Sequence, residues 1–142
     1  MKKEIPLSLP DIGDQEEKAV LSVLKSHRLS MGPQVLNFEK ELASYVGVKH
    51  AIAVNSGTSG LHLVVRSLKL TQGDQVITTP FSFVASANCL LFENVRPIFV
   101  DIDTKTLNID CNLVEKNIND KTRGLLPVHV FGQPADMNTI LT

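Results

Sequence analysis

The chain carries no surplus of charge of either sign: 14 Lys and Arg stand against 15 Asp and Glu, a formal net charge of −1. Without a basic stripe it offers no electrostatic footprint for DNA, RNA or an anionic membrane surface, so nucleic acid and membrane are not expected partners. A small anionic ligand remains open, because a few oriented groups can hold one locally. No apolar stretch approaches the ~20 residues that span a bilayer. The start, Met1-Lys2-Lys3-Glu4-Ile5-Pro6, has two positive charges but no apolar run behind them, and does not read as a signal peptide. Cysteine is scarce. Cys89 and Cys111 form neither a CxxC nor a metal-like cluster, and both fall in apolar-patterned segments as buried free thiols. The expectation is a cytosolic protein with no metal site. No repeat, linker or low-complexity tract divides residues 1–142, a length that suits one domain.

What is present alternates. Asp11 and Asp14 are N-cap candidates for a helix reaching about Ser26, with Val20, Val23 and Leu24 at helical spacing and Glu16 and Glu17 in its first turn. Gly32-Pro33 opens a second helix, with Val35, Phe38 and Leu42 on one face and Gly47 just past its end. The short apolar run Ala51-Ile52-Ala53-Val54 reads as a strand buried on both faces. A loop, Ser56 to Gly60, then leads into a helix carrying Leu61, Val64, Val65 and Leu68. After the Gln72-Gly73-Asp74 turn come a strand from Gln75 to Thr79 and a helix from about Phe83 to Glu93. A strand at Pro97 to Val100, a helix from about Cys111 to Ile118 and a strand around Gly124 to Val130 follow. Such spacing means βαβ units and a mostly parallel sheet, an α/β fold. At the end, Asp136 is an N-cap, and Met137, Ile140 and Leu141 begin an amphipathic pattern that Thr142 breaks off early. A chain cut short is the expectation.

The loop Ser56-Gly57-Thr58-Ser59-Gly60 is the segment with chemical potential. The first N–H groups of a helix have no intrahelical acceptor, and the helix dipole is positive at that end. Small residues let a phosphate approach the backbone, and the hydroxyls of Ser56, Thr58 and Ser59 add donors. In an open α/β sheet, ligands sit beyond the carboxyl ends of the strands. The loop fits neither GxxxxGK[ST] nor GxGxxG. Alone, it reads as readily as a cap and a turn.

Its neighbours carry more. Gly32-Pro33 and Phe38-Glu39 precede Ala51-Ile52-Ala53-Val54-Asn55-Ser56-Gly57-Thr58-Ser59-Gly60-Leu61. Gly73-Asp74-Gln75-Val76-Ile77-Thr78-Thr79-Pro80 runs into Phe81-Ser82-Phe83-Val84-Ala85-Ser86-Ala87. Then come Pro97-Ile98-Phe99-Val100-Asp101-Ile102-Asp103, and Pro127-Val128-His129-Val130-Phe131-Gly132-Gln133-Pro134 with Asp136-Met137. In order and spacing these blocks resemble the DegT/DnrJ/EryC1/StrS family of pyridoxal-phosphate (PLP) dependent sugar aminotransferases. The resemblance covers nearly the whole chain.

It implies a three-layer αβα architecture, the aspartate-aminotransferase-like fold type I, with residues 1–142 as the amino-terminal part of the PLP-binding large domain. The rest of that domain and a small carboxy-terminal domain would be absent. It further implies that Thr58 and Ser59 bind the PLP phosphate, that Gly57 allows close approach, and that Phe83 stacks on the pyridine ring. Phe81 is the weaker candidate for that stacking. A flat apolar face there suits the ring and excludes water. The Schiff-base lysine of the family lies beyond Thr142, and Lys49, Lys69, Lys105, Lys116 and Lys121 do not match its motif, so no catalytic residue is assigned. The implied partners are a nucleotide-linked keto sugar, an amino donor (glutamate or glutamine) and a second subunit in a homodimer.

A sugar dehydratase of the same family, with another residue in place of the lysine, reads equally from these residues. So, from a different class, does a stand-alone phosphate-binding or interaction module. Asp101 and Asp103 match a turn, and Asn88 fits either the site or helix packing. His129 suits a structural or substrate-orienting role, whereas His27, His50 and His62 have no partner that the sequence reveals. Gly60 stands where the family more often has alanine.

Overall fold

A computed structural model describes residues 5–6 and 8–142, so the Met1–Glu4 part of the basic start lies outside the described residues. Two compact units divide the chain, one up to Ala53 and one from Val54 onward. The first holds α1 (Asp14–Lys25) and α2 (Pro33–Val46). Gly13, not Asp11 or Asp14, caps α1. Its N–H donates to Glu16 Oε2 at 2.8 Å, which holds that carboxyl below its usual range. Asp14, Glu16 and Glu17 then occupy the first turn, where the helix dipole favours negative charge. Pro33 opens α2, and Gly47, at φ 76°, closes it in the left-handed conformation that glycine adopts without a Cβ penalty.

Residues 51–54 form no ladder, contrary to the strand that their apolar run suggests. A strand needs a partner's N–H and C=O groups, and among the described residues none pairs with this run. Ile52 is accordingly exposed, and the Ala53 N–H donates to Glu39 Oε1 at 2.8 Å.

The second unit begins with α3 (Gly57–Ser67), β1 (Gln75–Thr78), α4 (Ala85–Leu91) and β2 (Arg96–Phe99). It continues with α5 (Cys111–Asn117), β3 (Thr122–Leu126) and α6 (Met137–Ile140). The strands are parallel, in the order β2-β1-β3. Alternation along β1 splits the core. Val76 packs with Val65 of α3 and with Cys89 and Leu90 of α4. Ile77 packs on the other face with Val100, Ile109 and Val114, against which Leu113 and Ile140 also lie. Helices therefore cover both faces of the sheet, giving three layers. The last strand ends at Leu126, short of the expected Val130, because Pro127 has no N–H for the ladder.

The connections fix where a ligand can sit. Leaving β1, the chain turns toward the face of α3 and α4; leaving β3, it turns toward the face of α6. Two adjacent loops that part to opposite faces leave a crevice beyond the carboxyl ends of their strands.

Candidate functional site

The start of α3 is one component. Ser56 is its N-cap, and its Oγ accepts the Ser59 N–H at 3.1 Å and lies 3.0 Å from Ser59 Oγ. The Gly60 N–H donates to the Ser56 carbonyl at 3.1 Å. Among the described residues, neither the Gly57 nor the Thr58 N–H finds an acceptor. A Cβ built on Gly57 would meet nothing within 4 Å, so the space over this turn is open. Ser59 has already committed its N–H, so it keeps only its hydroxyl for a ligand. Val65, near the carboxyl end of α3, packs with Val76 near the start of β1, and residues 68–74 join the two elements, so the amino end of α3 is directed toward the carboxyl ends of the strands.

Gly60 lies within this first turn, and a Cβ there would meet Val54 Cγ2 at 3.5 Å, an ordinary contact. The Gly60→Ala variant is expected to gain about 0.5–1 kcal/mol, through lower backbone entropy in the unfolded chain. A urea melt checks this; a loss of stability would mean that the turn needs glycine.

The second component is a cleft of about 500 Å³ at the crevice, with Pro80 to Phe83 after β1 on one side and Val128, Val130 and Phe131 after β3 on the other. Thr78 Oγ1 donates to the Leu126 carbonyl at 2.8 Å and ties the two strand ends together beneath it. Phe83 is 76% exposed, its ring free for a ligand, while Phe81 meets Phe131 edge to face at 6.2 Å. Asn88 does not line the cleft, nor does any of the five lysines considered above.

Other candidates resolve into structure. The Asp103 carboxylate accepts the Lys105 and Thr106 N–H groups, each at 2.9 Å. The Thr106 bond is the larger cause of its lowered pKa, and the pattern is turn chemistry. His129 Nδ1 accepts the Ala135 N–H at 3.0 Å, a structural role. His62 does have a partner: its Nε2 lies 2.6 Å from Glu93 Oε1, and this bond is the main cause of the lowered Glu93 pKa. The pairing joins α3 to the end of α4, a proximity that separation in sequence conceals. Burial raises the pKa of both thiols, but only Cys89 is buried; Cys111 is half-buried, contrary to expectation. Sequence reasoning missed Asn108, a buried amide bonded to the segment that carries Phe131. A lone asparagine in a turn gives no signal of this.

The α/β unit thus combines free N–H groups at the start of α3, which could donate to an anion, with an exposed aromatic ring in a cleft beyond the strand ends. The chain belongs to the DegT/DnrJ/EryC1/StrS aminotransferase family, whose model matches residues 10–142. It is 45% identical over 137 residues to the spore coat polysaccharide biosynthesis protein SpsC of Bacillus subtilis, covering 96% of this chain and 35% of that protein. Helicobacter pylori PseC, an aminotransferase involved in pseudoaminic acid biosynthesis, superposes with a TM-score of 0.89 at 38% identity, over 97% of this chain and 38% of that one. The E. coli GDP-4-keto-6-deoxy-D-mannose-3-dehydratase with bound hydrated PLP gives 0.91 at 33% identity, over 96% and 37%. The chain spans about a third of the length of the curated relatives it matches.

Proposed function

We propose that these residues are the amino-terminal part of the large domain of a PLP enzyme. The complete enzyme moves an amino group from glutamate or glutamine to a nucleotide-linked keto sugar, as a cytosolic homodimer. One observation carries the reading: the N–H groups of Gly57 and Thr58 are unpartnered under open space, at the end of α3 that the α3–β1 connection directs toward the strand ends where the Phe83 cleft lies. The donor set fits a phosphate, and the flat apolar ring fits a pyridine. Likeness to an enzyme that holds PLP supports the same cofactor.

Bound PLP supplies the electron sink through which an amino group is exchanged between carbons. The residues of this chain would bind and orient it: Gly57 and Thr58 would donate N–H groups to the phosphate, the Thr58 and Ser59 hydroxyls would add to them, and Phe83 would cover the ring and keep water away. Among the described residues no lysine lines the cleft, and the reading expects the base and covalent anchor to come from elsewhere and the chain alone to be inactive. The same likeness favours a second reading, a dehydratase. The codons following Thr142 separate the two: the family's lysine supports amination, another residue there dehydration.

Two or three charge-assisted bonds at about 1.5–3 kcal/mol each give roughly 3–9 kcal/mol, before the cost of immobilising the ligand. Micromolar binding needs about 8 kcal/mol. Titrating PLP into the pure chain is expected to shift the Gly57 and Thr58 amide resonances with millimolar or weaker affinity. Micromolar binding would overturn the incomplete site, and unmoved amides the phosphate assignment.

A further inference from the structure

One wall of the cleft stands in a conformation that its own residue resists. Phe131 has φ 52° and Gly132 φ 83°, and the Gln133 N–H closes the turn on the Val130 carbonyl at 2.9 Å. Left-handed backbone is unfavourable for an aromatic residue, whose Cβ crowds the carbonyl. Phe131 is also 83% exposed, so burial of its ring does not hold the turn.

Asn108 lies at the other end of the bonds that do. It is 3% exposed and comes from the loop between β2 and α5. Its Oδ1 accepts the Val130 N–H at 3.1 Å, and its Nδ2 donates to the carbonyls of Gln133 at 3.1 Å and Pro134 at 3.2 Å. These bonds grip the chain on both sides of Phe131 and Gly132. One acceptor and two donors at one site is what a carboxamide offers, and neither a carboxylate nor an aliphatic side chain can match it. The Asn108 loop is built in its turn. Asp103 caps its bend, Leu107 takes a left-handed φ of 60°, and Ile102 and Ile109 bridge its base.

We infer that Asn108 is a positioning residue for the cleft: it holds the 130–134 turn so that Phe131 forms the wall against Phe81 and sets the width open to a flat ring. The ring's identity as the PLP pyridine rests on the function proposed above; the positioning does not.

Fluorophenylalanine labelling of the whole chain gives six fluorine signals, with Phe131 assigned by its loss in Phe131→Leu. In Asn108→Ala the Phe131 signal is expected to move toward that of free fluorophenylalanine, and Phe81 to shift with it, while Phe38 and Phe99 stay in place. Asn108→Asp keeps the oxygen that Val130 needs and guards against an alanine variant that fails to fold. It must still displace Phe131, because both donors are gone. A Phe131 signal unchanged in folded variants overturns the inference. Adding millimolar PLP separates the two ideas. Wild-type Phe83 and Phe131 should both respond, and in Asn108→Ala the Phe131 response should disappear while that of Phe83 persists. If PLP moves neither wild-type signal, the cofactor reading fails, and the displacement of Phe131 still decides the role of Asn108.

Discussion

Ile77→Ala is expected to lower the unfolding free energy by roughly 3–5 kcal/mol, the upper part of the range for truncating a buried aliphatic side chain. Ile77 is 0% exposed, at the centre of the middle strand, in register with Ile98 on one side and Leu125 on the other. Its face packs with Val100, Ile109 and Val114. Neighbours held from both flanks and from a helix cannot all collapse into the vacated volume, so a cavity term adds to the lost transfer energy. A urea titration reads the change as a lower midpoint with an unaltered slope. A loss under about 1 kcal/mol would mean that this face can relax and is no rigid core. The site would feel the change too. Ile109 adjoins Asn108, and Thr78, the next residue of the strand, ties β1 to β3 beneath the cleft.

The sequence was most legible where local chemistry and periodicity agree. Gly32-Pro33 and Gly47 bound α2, and the alternation of strands with helices predicts the parallel sheet and its two helical faces. Ala51 to Val54 misleads for a physical reason: apolarity records a wish for burial, while a strand also requires a neighbour. Strand ends follow donors rather than hydropathy, as Pro127 shows by stopping β3. The site was legible in part. Ser56 to Gly60 could be read as a helix start, because capping is local. That Ser59 spends its N–H on the cap, leaving Gly57 and Thr58 free, depends on hydrogen-bond geometry that residue types do not encode. The Asn108 bonds and the His62–Glu93 pair join segments distant in sequence, and no local pattern announces them.

Gly57→Pro is expected to separate the fold from the site. Gly57 is the first residue of α3, where proline's fixed φ suits the helix and its missing N–H breaks no intrahelical bond. Ser56, at φ −161° and ψ 157°, already holds the extended conformation that a following proline imposes. Added side-chain atoms at position 57 meet open space close in, since a Cβ there has no neighbour within 4 Å. Stability should hold or rise by a few tenths of a kcal/mol, as the unfolded chain loses freedom. Ligand binding should not survive. One of the two free N–H donors is removed, worth about 1.5–3 kcal/mol toward a charged acceptor, or roughly 10- to 100-fold in affinity. The ring also fills the space through which a phosphate must approach. The measurement is a paired one on the same sample, a melt and a PLP titration followed at the Thr58 amide. A Thr58 shift retained at wild-type affinity in a chain that melts normally would mean that the Gly57 N–H takes no part in holding the phosphate. An unfolded variant would show that the helix start differs from the one described.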